Sequence, residues 1–185
     1  MSQGPYLPHD PISLTLCADR SQPNLSSPID AVWQIYLQEN SPITLRSTFG
    51  LRAQSFQIFP VFMMDKVGYR VVNEFLSPPQ IRKILPNAIQ ISLNPNSHCT
   101  ASFELWAAAP DTLEGRISLK NADNTTHELG ARIGARLISF NNNKGMNFTK
   151  RKTMTYLKGE SNEMTISLLM DGLHRPIISP ELALE

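Results

Sequence analysis

Apolar and polar residues alternate with a period of two over most of the chain between residues 12 and 170. The stretches Ile12 to Cys17, Thr100 to Ala109 and Met164 to Met170 all follow this pattern. Alternation of this kind is typical of strands with one buried face, and a helical period fits these stretches poorly. About ten such stretches, separated by Pro, Gly and Asn, predict an all-β fold: an antiparallel two-sheet sandwich, supersandwich-like, with little or no helix.

The clearest alternation lies between residues 113 and 140. Leu113 to Lys120 and Leu129 to Leu137 each place apolar residues or glycine on one side and polar residues on the other. The polar sequence Asn121 to Asn124 follows the first of these stretches. We therefore predict an antiparallel hairpin with one solvent-exposed face. Gly130 and Gly134 predict a smooth surface against which another backbone or ring packs closely.

Prolines change the expected character of two stretches. Pro60 lies inside the predicted strand Ser55 to Met64, so this strand is expected at an edge or to contain a bulge. Ser77-Pro78-Pro79 is expected to end an extended stretch, and Ile81 to Leu85 is then predicted to form a single helical turn.

Length and proline content suggest the domain organisation. Pro5, Pro8 and Pro11 predict an extended arm over residues 1–11, because proline at this spacing does not sustain a helix. Residues 12–185 have the length of a single β-sandwich domain, either complete or a fragment of a longer enzyme. A chain of this size buries enough surface to fold without a disulfide or a metal ion.

The net charge and the length of the longest apolar run argue against some classes of binding partner. The formal net charge of +1 lacks the basic excess of most nucleic-acid-binding domains. One stretch of the chain is locally basic and contains Lys144, Lys150, Arg151, Lys152 and Lys158. This stretch favours a solvated hairpin, and contact with an anion or a polymer is the alternative. The longest apolar run, Phe59 to Met64, is too short to cross a bilayer, and residues 1–16 lack the features of a signal peptide. No nucleic acid or membrane partner and a cytoplasmic location are therefore expected.

Motifs for catalysis, cofactors or metals are not recognisable. The four histidines show no short ligand spacing, and the pair His98-Cys99 would point to opposite faces of a strand. Cys17 and Cys99 are expected to be buried free thiols; a disulfide would require their strands to be adjacent. No nucleophile elbow or phosphate-binding glycine motif is present. We therefore expect no catalytic, cofactor or metal site in this sequence.

Aromatic residues in strands are the remaining candidates for binding. Trp33 falls on the apolar face with Ile35 and Leu37, which favours a place in the core. Tyr36 and Trp106 fall on the opposite faces of their strands. Exposed rings on a sheet can stack on the C–H groups of sugars while polar side chains bind the hydroxyls, so both are candidate glycan-stacking residues. A buried position against a second sheet is the alternative for Trp106.

Several phrases of the sequence together are similar to one enzyme family. "ADRSQPNLSSPIDAVWQIYL", "STFGLRAQSFQIFPVF", "LEGRISLKNADNTTHELGARIGARL" and "HRPIISPELALE" resemble the N-terminal β-sandwich domain of glycoside hydrolases whose catalytic domain is an (α/α) toroid, as in glucoamylase-like and glycogen-debranching-like proteins. The resemblance covers about residues 18 to 185 and carries no catalytic motif. It implies that catalysis belongs to a C-terminal helical domain absent from this sequence.

The sequence therefore predicts a non-catalytic accessory sandwich of a carbohydrate-active enzyme. This domain would pack on the missing catalytic domain and contact glycan. The alternative is a free-standing, immunoglobulin-like structural or protein-interaction domain, and an enzyme whose site is assembled from residues distant in sequence stays open.

Overall fold

Strands dominate the parts of the chain that a computed structural model describes, which are residues 12–16, 33–47, 55–109, 111–138, 146–151, 154–160 and 165–170. These residues form thirteen strands and one 3₁₀ turn, Val72–Glu74. The strands are β1 Ile12–Leu16, β2 Trp33–Leu37, β3 Thr44–Ser47, β4 Ser55–Met64, β5 Val67–Tyr69, β6 Ser77–Leu85, β7 Ala88–Asn96, β8 Cys99–Ala109, β9 Thr112–Asn121, β10 Leu129–Ile138, β11 Met146–Arg151, β12 Met154–Glu160 and β13 Thr165–Leu168. The prediction of an all-β, antiparallel, sandwich-like fold is confirmed.

The chain divides into two compact units. The first contains Met1–Thr48 and Ile58–Ile133, and the second contains Phe49–Gln57 and Gly134–Glu185. The described strands of the first unit belong to a six-stranded sheet, ordered β1-β2-β3-β4-β10 with β5 beside β4, and a four-stranded sheet, ordered β6-β7-β8-β9. The pairings β1–β2, β2–β3, β3–β4, β4–β5, β6–β7, β7–β8 and β8–β9 are antiparallel.

Both sheets of the first unit have one apolar face, and these faces form its core. The six-stranded sheet buries Ile35, Leu37 and Phe62, and Trp33 is 8% exposed, as its pattern predicts. The four-stranded sheet buries alternate residues of β8: Ala101, Phe103, Leu105 and Ala107. Burying each large apolar side chain contributes about 1.5–3 kcal/mol, so the period-two pattern fixes the side of each sheet that faces inward.

Contacts at one end of the first unit link the two sheets and position the start of β6. The amide of Asn96, at the end of β7, donates to the hydroxyl of Tyr69 in β5 at 3.1 Å. The backbone N–H of Leu76 donates to the carbonyl of Asn94 at 2.9 Å. Phe75 packs edge-on against Phe62, with ring centroids 5.9 Å apart. The turns at this end are therefore held in fixed positions.

The predicted hairpin between residues 113 and 140 is wrong, although both of its strands exist. β9 pairs with β8 in the four-stranded sheet, whereas β10 lies beside β4 in the six-stranded sheet. The connection between β9 and β10 therefore crosses from one sheet to the other. Alternation specifies which face of a strand is buried, but two packed sheets have the same alternation and the pattern does not identify the partner strand.

The helical turn predicted for Ile81 to Leu85 is also wrong, because β6 runs continuously from Ser77 to Leu85. Pro78 and Pro79 begin this strand instead of ending one. The register with β7 shifts between Ser77 and Gln80, so both prolines lie in an irregularity where no ladder N–H is required. Since β6 is also an edge strand of its sheet, proline is tolerated there.

Pro60 does not place its strand at an edge. β4 lies between β3 and β10, and its end pairs with β5. Ile58 is the residue registered with β3, and Phe62 is the first residue registered with β5. Pro60 falls between these two ladders, so its missing N–H removes no registered pair from either of them.

The strands that lie wholly within the second unit form a three-stranded sheet, ordered β11-β12-β13. β11 and β12 are antiparallel, with Lys150 opposite Thr155. The predicted hairpin in the basic stretch is thus present, although Lys144 and Lys152 lie outside the described residues, as do residues 1–11 and Cys17. Within the described residues, no helix has the length and apolar content to cross a bilayer.

Candidate functional sites

Trp106 lies on the outer face of the four-stranded sheet, on the side of β8 opposite the buried residues. Its ring is half-buried, and its indole N–H donates to a carboxylate oxygen of Glu114 at 2.8 Å. Glu114 is the direct cross-strand neighbour of Trp106 on β9. The hydrogen bond satisfies the only polar atom of the indole, so the ring is held in one orientation on the sheet.

The row of Trp106 continues across the sheet through Ala88 to Leu85, whereas the rows on one side of it are polar. The next row along the sheet aligns Gln90, Glu104 and Arg116, and the Gln90 amide donates to Glu104 at 2.8 Å. The row after that contains three serines, Ser92, Ser102 and Ser118. A single aromatic ring is therefore bordered by side chains that can donate and accept hydrogen bonds.

Tyr36 lies on β2 of the other sheet, where it is half-buried. Its hydroxyl donates to Gln34 at 2.8 Å, and the guanidinium of Arg46 lies 4.6 Å from the ring centroid. The cation covers one face of the ring, so this face is already engaged by the protein. Tyr36 and Trp106 thus occupy different sheets of the first unit.

A second cluster, which the sequence did not predict, joins three chain segments that are distant in sequence. His98 lies in the turn between β7 and β8, and Asp123 and His127 lie in the connection between β9 and β10. One ligand atom from each of the three side chains lies within 4.8 Å of the others. Asp65, in the turn between β4 and β5, contacts His127 and completes the group. We call these four residues the His–Asp cluster.

Strand register brings His98 next to the connection between β9 and β10. Cys99 and Asn121 are paired at the ends of β8 and β9, and the backbone N–H of Ala122 donates to the carbonyl of His98 at 2.8 Å. The turn at His98 is closed by Asn96, whose side-chain oxygen accepts the His98 N–H at 2.9 Å. An Asn side chain commonly closes a turn by accepting a hydrogen bond from the backbone N–H two residues later.

The turn that carries Asp65 has an unusual backbone. Asp65 and Lys66 have φ angles of 47° and 70°, a left-handed conformation that favours glycine. Two backbone contacts hold the turn: Asp65 N–H donates to Glu128 carbonyl at 2.9 Å, and Glu128 N–H donates to the Asp65 carboxylate at 2.9 Å. These bonds fix the turn against the start of β10.

Hydrogen bonds orient each side chain of the His–Asp cluster. His127 Nδ1 donates to Asp65 at 2.7 Å, because a carboxylate only accepts, and His127 Nε2 faces Asp123 Oδ2 at 3.2 Å. The second oxygen of Asp123 accepts from the N–H and hydroxyl of Thr125 at 2.9 and 2.8 Å. His98 Nδ1 also contacts Asp123 Oδ2. The His127 side chain is 14% exposed, whereas that of His98 is 51% exposed.

The contacts shift the pKa of three members of the cluster. The hydrogen bond to Asp65 and then the one to Asp123 raise the pKa of His127 above its ordinary value of 6.5. The Thr125 hydroxyl and N–H hold the pKa of Asp123 well below its ordinary 3.8. The Glu128 N–H, followed by His127, lowers the pKa of Asp65. Each hydrogen bond favours the charged form of its group.

Cys99 is a buried free thiol, as predicted, and burial raises its pKa. A thiol in this state is a weak nucleophile. The predicted close packing at Gly130 is wrong: a Cβ there would lie 3.7 Å from Met63 Cβ, an ordinary contact. The close approach is instead at Gly115, where a Cβ would lie 2.7 Å from Leu105 Cδ2.

The sequence carries one usable indication of the His–Asp cluster. Asp123 and His127 are four residues apart in a polar connection, a spacing that can place two ligands together. The partners His98 and Asp65 are 25 and 58 residues away from Asp123, so spacing alone does not find them. No family model, curated protein or solved structure matches the chain, so the resemblance to the sandwich domain of toroid glycoside hydrolases stays a prediction.

Proposed function

We propose that this protein is a non-catalytic accessory β-sandwich of a carbohydrate-active enzyme and that it contacts glycan through the outer face of its four-stranded sheet. One observation supports this proposal most strongly: Glu114 holds Trp106 as an aromatic platform beside two polar rows of the sheet. Sugar-binding surfaces combine an apolar ring, which contacts C–H groups, with polar side chains that bind hydroxyls.

The arrangement favours Trp106 over Tyr36 as the stacking residue. The Trp106 indole N–H is already bonded, so its ring needs no further polar partner and can accept an apolar ligand surface. Tyr36, by contrast, has one ring face covered by Arg46. In the row beside Trp106, the amide, carboxylate and guanidinium of Gln90, Glu104 and Arg116 offer both donors and acceptors.

A glycan array followed by calorimetry of the retained glycan tests this function. We expect Trp106→Ala to weaken binding by roughly tenfold or more, which corresponds to about 1.4 kcal/mol for the loss of the stacking ring. Trp106→Phe is the matched control, because it keeps a flat ring while removing the indole N–H, and it should retain most of the affinity. Tyr36→Ala should bind as the parent does. Binding that is equal in Trp106→Ala and the parent, or no retained glycan, contradicts the proposal.

The association with a catalytic domain rests on the family resemblance. It predicts that the gene continues beyond Glu185 into several hundred helix-rich residues. Sequencing the full transcript tests this directly, and a stop codon immediately after Glu185 would contradict the association with a C-terminal domain.

A second candidate, a protein-interaction domain, is favoured by the edge strand β6. No described residue pairs with its outer edge, and Ile84 and Leu85 are 57% and 40% exposed. Exposed edge strands with apolar side chains can pair with another strand. Sedimentation of the isolated chain tests this candidate: a dimer that Ile84→Lys abolishes would favour it, and a monomer over the accessible concentration range would exclude self-pairing through β6.

A further inference from the structure

The His–Asp cluster combines the residue types that bind transition-metal ions, and its members come from three turns at one end of the first unit. His98 and Trp106 are eight residues apart on the same chain segment, which corresponds to about 26 Å along a strand. The cluster is therefore a different site from the proposed glycan-binding face and needs its own explanation.

We propose that His98, Asp123 and His127 bind a divalent transition-metal cation of the zinc type, with Asp65 orienting His127. The two imidazoles are borderline ligands, which suit zinc better than the harder calcium or magnesium ions, and zinc also accepts one carboxylate oxygen. Three protein ligands leave the fourth coordination position of a tetrahedral zinc ion open for water or for a small molecule that binds the protein.

The distances are compatible with this ion after a small adjustment. The three ligand atoms lie within 4.8 Å of one another. Zinc bonds of about 2.0–2.2 Å in a tetrahedron place ligand atoms roughly 3.4 Å apart, so a separation between two ligand atoms must change by at most about 1.4 Å. His98 can make this movement most easily, because it lies in a turn and half of its side chain is exposed.

The hydrogen bonds around the ligands direct one atom of His127 and one atom of Asp123 toward each other, and a bound metal would replace their present hydrogen bonds. His127 uses Nδ1 for its hydrogen bond to Asp65, and its Nε2 lies 3.2 Å from Asp123 Oδ2 and 2.6 Å from Thr125 Oγ1. Asp123 uses one oxygen for the two bonds from Thr125, so its other oxygen faces both imidazoles. Metal-binding histidines commonly donate their second N–H to a carboxylate, which fixes the tautomer and the ring orientation. Asp65 has this position relative to His127.

A hydrogen-bonded network without metal is the competing explanation. In that case protons on His98 and His127 hold the Asp123 carboxylate, and Thr125 adds a contact to His127 Nε2 at 2.6 Å. The network would then only connect the three turns. The two explanations differ in the effect of added metal. In a metal site, the ion replaces the protons between the imidazoles and Asp123 and stabilises the protein. In a purely structural network, added metal does not change the stability.

Zinc titration of the chelator-treated protein separates these explanations. We expect one zinc ion per chain by calorimetry, and a zinc concentration 100-fold above Kd should raise Tm by roughly 5–10 °C. The chain has four histidines, which permits a matched pair of variants. His9→Asn/His174→Asn keeps only the cluster histidines and should bind zinc like the parent. His98→Asn/His127→Asn keeps only the other two and should lose the heat of binding and the Tm shift.

Further measurements distinguish a loss of zinc binding from a loss of folding, and specific zinc binding from binding of any divalent cation. His98→Asn alone leaves the bonds of His127 to Asp65 and Asp123 intact, so it should stay folded by circular dichroism while zinc affinity falls at least tenfold. Asp65→Asn should weaken zinc binding by about 10–100-fold while leaving all three ligands in place. Magnesium and calcium should leave Tm unchanged. Zinc binding that is absent in the parent, or that persists in His98→Asn/His127→Asn, overturns the proposal.

Discussion

The close approach of β9 to β8 at Gly115 makes a quantitative prediction about stability. Gly115 is paired with Leu105, and an added Cβ would lie 2.7 Å from Leu105 Cδ2 and 3.0 Å from the Glu104 carbonyl oxygen. Ordinary carbon contacts are about 3.5–4.0 Å, so the overlap with the Leu105 methyl group is about 1 Å. Leu105 is 3% exposed and cannot turn into solvent, and the carbonyl belongs to the backbone of β8. Relief of the overlap therefore requires a shift of the core or of the strand.

We expect Gly115→Ala to destabilise the protein by about 1–2 kcal/mol. Overpacking of a core contact costs about 1–3 kcal/mol, and the reduced entropy of the unfolded alanine chain offsets about 0.4–1 kcal/mol of this. Tm should fall by roughly 2–8 °C. Urea unfolding followed by circular dichroism measures the effect, and an unchanged m-value would confirm that the change lies in stability.

Gly130→Ala is the matched control for this prediction. It makes the same chemical change in a strand, but the added Cβ would have its nearest contact, Met63 Cβ, at an ordinary 3.7 Å. No described glycine has a positive φ angle, so neither substitution strains the backbone. Gly130→Ala should be neutral or stabilising by up to about 1 kcal/mol. If Gly115→Ala is as stable as the parent, or if both variants lose the same amount, steric overlap with Leu105 is not the reason for glycine at position 115.

Two other predictions concern the turn and the titration of the His–Asp cluster. Lys66→Gly should stabilise the protein by about 1 kcal/mol, because Lys66 has a φ of 70°, and Lys66→Ala, which keeps a Cβ, should not give this gain in thermal unfolding. The raised pKa of His127 means that its interactions stabilise the fold fully below about pH 6.5 and are lost as the pH rises through its folded-state pKa. The lowered pKa of Asp123 means that its contribution is present above about pH 3.9 and is lost at lower pH. NMR titration with a chelator present should show the His127 imidazole titrating above 6.5, and an Asp65→Asn variant with an unchanged His127 pKa would contradict the assigned cause.

The sequence predicts the strands and the buried faces of this protein well, because both depend on local pattern. β8 buries the four residues that its alternation places on one side, and β2 buries Trp33, Ile35 and Leu37. In each case the free energy of burying apolar side chains selects the face, and a shift of one residue would expose all of them. Local pattern therefore suffices for these elements.

Pairing partners were not predictable in the same way. β9 and β10 have the pattern of a hairpin and are separated by a polar connection, yet they belong to different sheets. Both a hairpin and a crossing between sheets bury one face of each strand, so the apolar pattern is satisfied by either arrangement. At Ile81 to Leu85, two prolines suggested a break, but a register irregularity in an edge strand accommodates them.

The His–Asp cluster was missed for a related reason. Its residues are separated by 25 or more positions, except for Asp123 and His127, so no short ligand spacing marks the cluster in the sequence. The pairing of Cys99 with Asn121 is what places His98 next to the connection that contains the other two residues. A correct register for β8 and β9 would have brought His98 and Asp123 together, but register depends on long-range packing and cannot be taken from alternation.

The backbone at Asp65 links the fold to the His–Asp cluster. A two-residue turn with two positive φ angles normally uses Asn-Gly or Asp-Gly, and this chain has Asp-Lys. Lys66 carries the backbone cost without a described contact that requires its side chain, whereas the Asp65 carboxylate binds both the Glu128 N–H and His127 Nδ1. Glycine at position 65 would relieve strain but release His127 from its orientation. The Asp65 carboxylate thus provides the contacts that orient His127, in a turn whose backbone cost falls on Lys66.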